Sequence, residues 1–196
     1  MPRPRTFDPT EVLERAVALF RERGLEGTRL PALTERLGIC RQSLYNSFGD
    51  KRGLYLAALE RYGEREVDAK LALLQADGSP IQNVRTILRG LAAMAATCPG
   101  PGCLTAGAIS EITADVEALA VVERQVERLE GGFRDTLLRA REAGELRADA
   151  SPERLARSLV TSMYGLGVLS RLPGSGPRIG AAVDVMLELV DAACAS

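Results

Sequence analysis

The chain of 196 residues has no histidine and no tryptophan. The missing histidine excludes Ser-His-Asp catalysis, helical zinc-protease motifs and two-Cys two-His fingers together. Aromatic residues make up only 4% of the chain, which argues against large, flat planar ligands. No apolar run is long enough to span a bilayer. The start is rich in Arg and Pro and leads straight into an amphipathic stretch, not into an apolar signal segment. A cytoplasmic protein is expected, with its four cysteines as free thiols rather than bridges. Paired carboxylates exist, but none has a distinctive context, so no enzyme, metal site or cofactor is expected. No segment alternates with period two for long enough to make a strand.

What is present is helical punctuation. With 46% hydrophobic residues, a packed core is within reach. Asp8, Pro9 and Glu11 mark a first helix, with Val12, Leu13, Ala16, Leu19 and Phe20 on its buried face and Gly24 as its stop. A second runs from a Thr28 cap to Leu37, with Pro31 early enough to be tolerated. Gly38 makes a turn and Ile39 plugs it. A third helix covers Arg41 to Phe48, Gly49 ends it, and Asp50 caps a fourth from Lys51 to about Leu74. Five more follow: Pro80 to Thr97, Leu104 to Ile112, Val116 to Glu142, a Ser151-Pro152 start to about Ser170, and Arg178 to Ala193. The predicted fold is all-α with about nine helices. A three-helix head over residues 1–52 is expected, joined through the fourth helix to a body over 53–196.

The run from Thr28 to Lys51 is the sequence form of a helix-turn-helix. In the third helix Leu44 and Phe48 must bury, which turns Gln42 and Asn46 outward, flanked by Ser43 and Tyr45. Gln and Asn can pair bidentately with adenine, and a Tyr hydroxyl commonly bonds phosphate. Arg41 has the length to reach guanine or phosphate. Thr28, Arg29 and Lys51 sit at helix starts, where free amides and the dipole favour phosphate. Arg3 and Arg5 suit an arm over the backbone or in the minor groove. Residues 1–52 carry a net charge of about +3 although the chain as a whole is −1, so the remainder is acidic. That asymmetry suits a protein meeting phosphate at one end. A solvated three-helix packing unit would share the helix spacing alone.

The stretch Ala16 to Leu59 resembles the head of the tetracycline-repressor (TetR) family of transcription regulators. Phe20, Gly24, Thr28, Gly38, Leu44, Tyr45, Phe48, Lys51 and Leu54 carry the likeness. The resemblance implies a regulator, in most cases a repressor, that binds near-palindromic double-stranded DNA as a homodimer and answers to a small-molecule effector in its body. One position departs: relatives often have Ser or Thr at the cap of the recognition helix, where this chain has Cys40, a poor cap. Drift and an oxidisable thiol at the DNA surface both fit.

In the body, Leu155, Leu159, Met163 and Leu166, then Ile179, Val183, Met186 and Val190, form apolar stripes on the last two helices. They are expected either to pack against a second copy as a four-helix interface or to be monomer core. Met94, Phe133 and Tyr164 are candidate walls of an effector pocket, or plain core. Cys103 starts a helix, where a thiol's pKa can fall. Gly102-Cys103-Leu104 is similar to a subset of the family thought to sense electrophiles or oxidants, and Cys98 is a candidate partner for an oxidised pair. Cys103 as a small apolar residue stands beside that reading. The competing function is an all-helical adaptor that binds protein and no DNA.

Overall fold

The computed structural model describes residues 7–97, 100–111 and 115–195. Among these the chain forms nine helices: α1 (Pro9–Arg23), α2 (Leu30–Leu37), α3 (Arg41–Phe48), α4 (Lys51–Leu74), α5 (Pro80–Thr97), α6 (Leu104–Glu111), α7 (Val116–Glu142), α8 (Pro152–Leu169) and α9 (Gly176–Ala193). One antiparallel bridge, Leu146 to Cys194, ties the end of α9 to the loop after α7.

The head is assembled by local rules. The Asp8 carboxylate accepts from the Thr10 amide at 2.8 Å and starts α1. Gly38 takes the left-handed conformation, φ 68°. Its amide donates to Glu35 O and the Ile39 amide to Thr34 O, so α2 closes in a Schellman turn that aims α3. Ile39 plugs the turn at 8% exposure, over Leu33, Leu37 and Leu44. The Asp50 carboxylate accepts from Gly53 N at 2.7 Å and starts α4.

Thr28 does not cap α2, contrary to the sequence expectation. Arg29 holds the cap position without a side-chain bond. Thr28 is fully buried, and its hydroxyl donates to the Gly24 carbonyl at 2.6 Å. The chain between Gly24 and Thr28 folds back tightly enough that the hydroxyl finds a partner behind it before it can reach forward into α2.

Two apolar clusters fill the molecule. The first joins α1–α3 and the start of α4 to Leu104 and Ala108 of α6 and to Ala118, Val121 and Val122 of α7. The second gathers the end of α4, α5, α7, α8 and α9 around Leu74, Leu88, Phe133 and Leu159. The head therefore shares a core with α6 and α7 and is not a separate ball. Gln125, buried on α7, joins the two regions. Its Nε2 donates to Leu59 O at 3.1 Å and its Oε1 accepts from the Thr105 hydroxyl at 2.9 Å. Gly63 is required beneath it, since a Cβ there would overlap the Gln125 amide.

The apolar stripes of α8 and α9 face inward. Leu155, Leu159, Met163, Leu166, Ile179, Val183, Met186 and Val190 are all buried within this one chain. The expectation that they form the surface between two copies is corrected: α5 packs along α9, and α7 along α8, and these neighbours cover them. On and between these two helices, the large apolar residues left outside are Val168, Leu169, Leu172, Val185 and Leu189.

Exposed ion pairs line the seam between head and body. Arg52 meets Asp115 through two bonds of 2.7 Å and Glu117 at 2.9 Å, and Arg65 meets Glu14 at 2.6 Å. Such pairs add little each in water. Their effect shows on the Asp115 carboxyl, which the Arg52 guanidinium draws down to a pKa of about 2.

Candidate nucleic-acid interface and cavity

On α3, Leu44 is buried and Phe48 half-buried, and they fix the inner side of the helix. Gln42 and Asn46 are exposed on the opposite side with Ser43 half-buried beside them, and Arg41 and Tyr45 are exposed at the edge nearer the buried side. The Gln42 amide donates to Asn46 Oδ1 at 2.9 Å, so both amides lie along one line of the helix surface. Their free donor and acceptor atoms match the edge of an adenine, and Arg41 and Tyr45 suit guanine or phosphate. The Cys40 thiol at the start of α3 lies 3.3 Å from the Ser43 hydroxyl and makes no capping bond. That hydroxyl holds the thiol below its ordinary pKa. Arg29 is exposed at the start of α2. Lys51 is half-buried, and its ammonium donates to the Leu25 carbonyl at 2.9 Å. It pins the loop after α1 to the start of α4.

Behind the head lies a cavity of about 160 Å³. Tyr62, Glu66, Val67 and Lys70 of α4, Leu91 and Met94 of α5, Cys103 and Thr105, Leu129 of α7, Met163, Tyr164 and Leu166 of α8 and Ile179 of α9 line it. Arg21 reaches its wall from α1. Cys103 stands immediately before α6. Its carbonyl accepts from Gly107 N at 3.0 Å, and its sulfur accepts from Ala106 N at 3.5 Å. The thiol therefore serves as the cap of α6. Gly167 of α8 lets the two helices approach, since a Cβ there would come 3.0 Å from Cys103 Cβ. Burial raises the pKa of Tyr62 and of Tyr164, with the neighbouring Cys103 acting in the same direction, so both phenols stay neutral.

The loop and helix at this cavity are held to the head at both ends. Arg21 Nε donates to the Gly102 carbonyl at 2.8 Å, one residue before the thiol. At the far end, Glu111 Oε2 accepts from the Leu25 amide at 2.8 Å, and its other oxygen faces Arg171 at 3.5 Å. Arg171 lies across Gly102 and Gly107, and Glu111 across Gly24. A Cβ on any of these three glycines would strike the charged side chain above it.

Comparison with known proteins places this architecture. Residues 12–58 match the model of the tetR family of bacterial regulatory proteins, and residues 80–186 match the tetracyclin repressor-like C-terminal domain. YezE of Bacillus subtilis (strain 168), named as an uncharacterized HTH-type transcriptional regulator, is 38% identical over 194 residues, covering 97% of this chain and 100% of that protein. The chain belongs to the tetR family. A cysteine-substituted form of the TetR family regulator CifR, solved with 26-bp double-strand operator DNA, superposes with a TM-score of 0.79 at 33% identity, covering 95% of this chain and 98% of that one. The reduced form of E. coli NemR shares the fold, with a TM-score of 0.80 at 19% identity over 95% and 96% of the two chains. This TetR-family protein is a helix-turn-helix transcription regulator. Among the described residues, no helix is long and apolar enough to cross a membrane.

Within the regulator, the sequence-predicted residues fall into distinct places. Arg29, Arg41, Gln42, Ser43, Tyr45, Asn46 and Lys51 lie on α3 or at the two helix starts beside it, whereas the Thr28 side chain is sealed inside. Arg3, Arg5 and Cys98 lie outside the described residues. Met94, Cys103 and Tyr164 share the cavity wall. Phe133 is not on that wall: it is fully buried in the second core, packed by the helices around α7. Sequence reasoning missed Arg21, Glu111, Gln125 and Arg171. The only available signal was Gly107 inside an eight-residue helix, a mark of close approach by another group.

Proposed function

We propose that the protein is a cytoplasmic repressor that reads a near-palindromic operator with two copies of its head, residues 1–52, and answers to a signal received in its body, residues 53–196. The observation that carries this reading is the outward pair Gln42 and Asn46, flanked by the exposed Arg41 and Tyr45, on a short helix fixed by a Schellman turn. CifR, solved on operator DNA, supports it. Gln42 and Asn46 contact base edges, Ser43, Tyr45, Arg29 and Lys51 the backbone, and Arg3 and Arg5 the flanking duplex. Two such heads need a symmetric pair, and the exposed Val168 and Leu169 of α8 and Val185 and Leu189 of α9 supply the apolar contact.

The signal enters at the cavity. Gly102-Cys103-Leu104 puts a thiol at the α6 cap, beside the carbonyl that Arg21 holds. An adduct on Cys103 removes the cap and crowds Gly167, which displaces the start of α6 from α1.

Four outcomes are expected. In anisotropy titrations on the operator, Gln42→Ala weakens specific binding by about 1–3 kcal/mol and Tyr45→Ala weakens binding through its lost backbone contact, while the dimer persists in both. Wild-type binding also falls steeply with salt. Unchanged affinity in both variants rejects this use of α3. In sedimentation, Val185→Glu with Leu189→Glu gives a folded monomer, and an intact dimer rejects the stated contact. In a Cys40→Ser background, N-ethylmaleimide releases the operator, and the further change Cys103→Ala abolishes that release. An identical response with and without Cys103 removes it from the mechanism.

A further inference from the structure

We infer that the cavity binds a small carboxylate with an apolar body, and that the guanidinium of Arg21 takes its charge. The inference rests on the reading of this cavity as the effector site and names the chemical class of its ligand.

The wall carries three charged side chains: Arg21, Glu66 and Lys70. Two of them satisfy each other. Lys70 Nζ lies 3.1 Å from Glu66 Oε2, and Arg65 lies 3.7 Å from the other Glu66 oxygen. Arg21 differs. Among the described residues it has no carboxylate partner. Its Nε is bound to the Gly102 carbonyl, and its guanidinium carbon sits 5.5 Å from the centre of the Tyr62 ring. These two contacts orient the guanidinium and leave its Nη atoms for a ligand.

One uncompensated positive charge thus faces walls built from Leu91, Leu129, Met163, Leu166 and Ile179. Cations held at an apolar wall select anions, because a neutral ligand leaves the charge unpaired when it expels water. A planar fork of N–H groups matches a carboxylate in two parallel bonds. At about 160 Å³ the space is close to that of cavities that accept a six-carbon body. Arg21 is also the one residue of α1–α3 on the described wall, so the head itself makes the contact.

Calorimetry with the full-length protein tests this, using hexanoate and its uncharged isostere hexanamide as probes. Hexanoate is expected to bind the wild type at least about tenfold tighter than hexanamide. In Arg21→Gln the preference falls to about twofold or less. Arg21→Lys keeps part of the preference, which separates loss of charge from loss of fold. Equal affinity of the two probes in the wild type overturns the assignment and leaves the cavity as an uncharged effector site. A preference that survives Arg21→Gln moves the charge to another residue and overturns it as well. No binding of either probe up to about 10 mM overturns both the assignment and the effector cavity. The DNA reading is judged separately, by the operator titrations of the α3 variants.

Discussion

The structure depends on α6 being fastened at both of its ends, to α1 and to the loop that follows it. Arg21 holds the carbonyl of Gly102 at one end, and Glu111 holds the amide of Leu25 at the other. Neither bond is strong alone, and a typical hydrogen bond to a charged group adds about 1.5–3 kcal/mol. Their placement matters more than their size. They bracket a helix that touches both the cavity and the loop that leads into α2. Leu104 and Ala108 of α6 are also packed into the head's own core, so apolar contact joins α6 to α1 beside the two ties.

The sequence builds this device with small residues. Gly24, Gly102 and Gly107 lie beneath the charged side chains of Glu111 and Arg171, and Gly167 beneath the cap of α6. Gly63 admits Gln125, whose amide joins α4, α6 and α7 in the same region. Each of these glycines costs chain entropy on folding, and Gly63, Gly107 and Gly167 weaken the helices that contain them. The return is a set of close, polar, directional contacts between elements that apolar packing alone would leave free to slide. The head-to-body seam therefore combines a shared apolar core with a few ties that can be released one at a time.

The helices were legible because their punctuation is strong. Asp8, Asp50, Ser151 and the Gly stops are caps whose chemistry acts locally, and the structure uses Asp8, Asp50 and Ser151 as caps. Thr28 was misread because its partner is the carbonyl behind it, a choice set by how the loop folds back rather than by the residue itself. The stripes on α8 and α9 were read correctly as apolar but assigned to two outcomes, since periodicity says that a face is covered and not what covers it. In this chain α5 and α7 cover it. Phe133 illustrates the same limit: it is core. Arg21, Glu111 and Arg171 left no signal beyond the glycine at 107, because a charged residue looks alike in the sequence whether it faces water or another element 80 residues away. The outward face of α3 was legible for the opposite reason, since Leu44 and Phe48 fix it within one helix.

Amide hydrogen exchange at Leu25 tests the double tie most directly. The account predicts that this amide is protected in the wild-type protein and exchanges at least about tenfold faster in Glu111→Ala, while the amides in the middle of α1, such as Val17, keep their protection. An unprotected Leu25 amide in the wild type, or a rate that Glu111→Ala leaves unchanged, would contradict it.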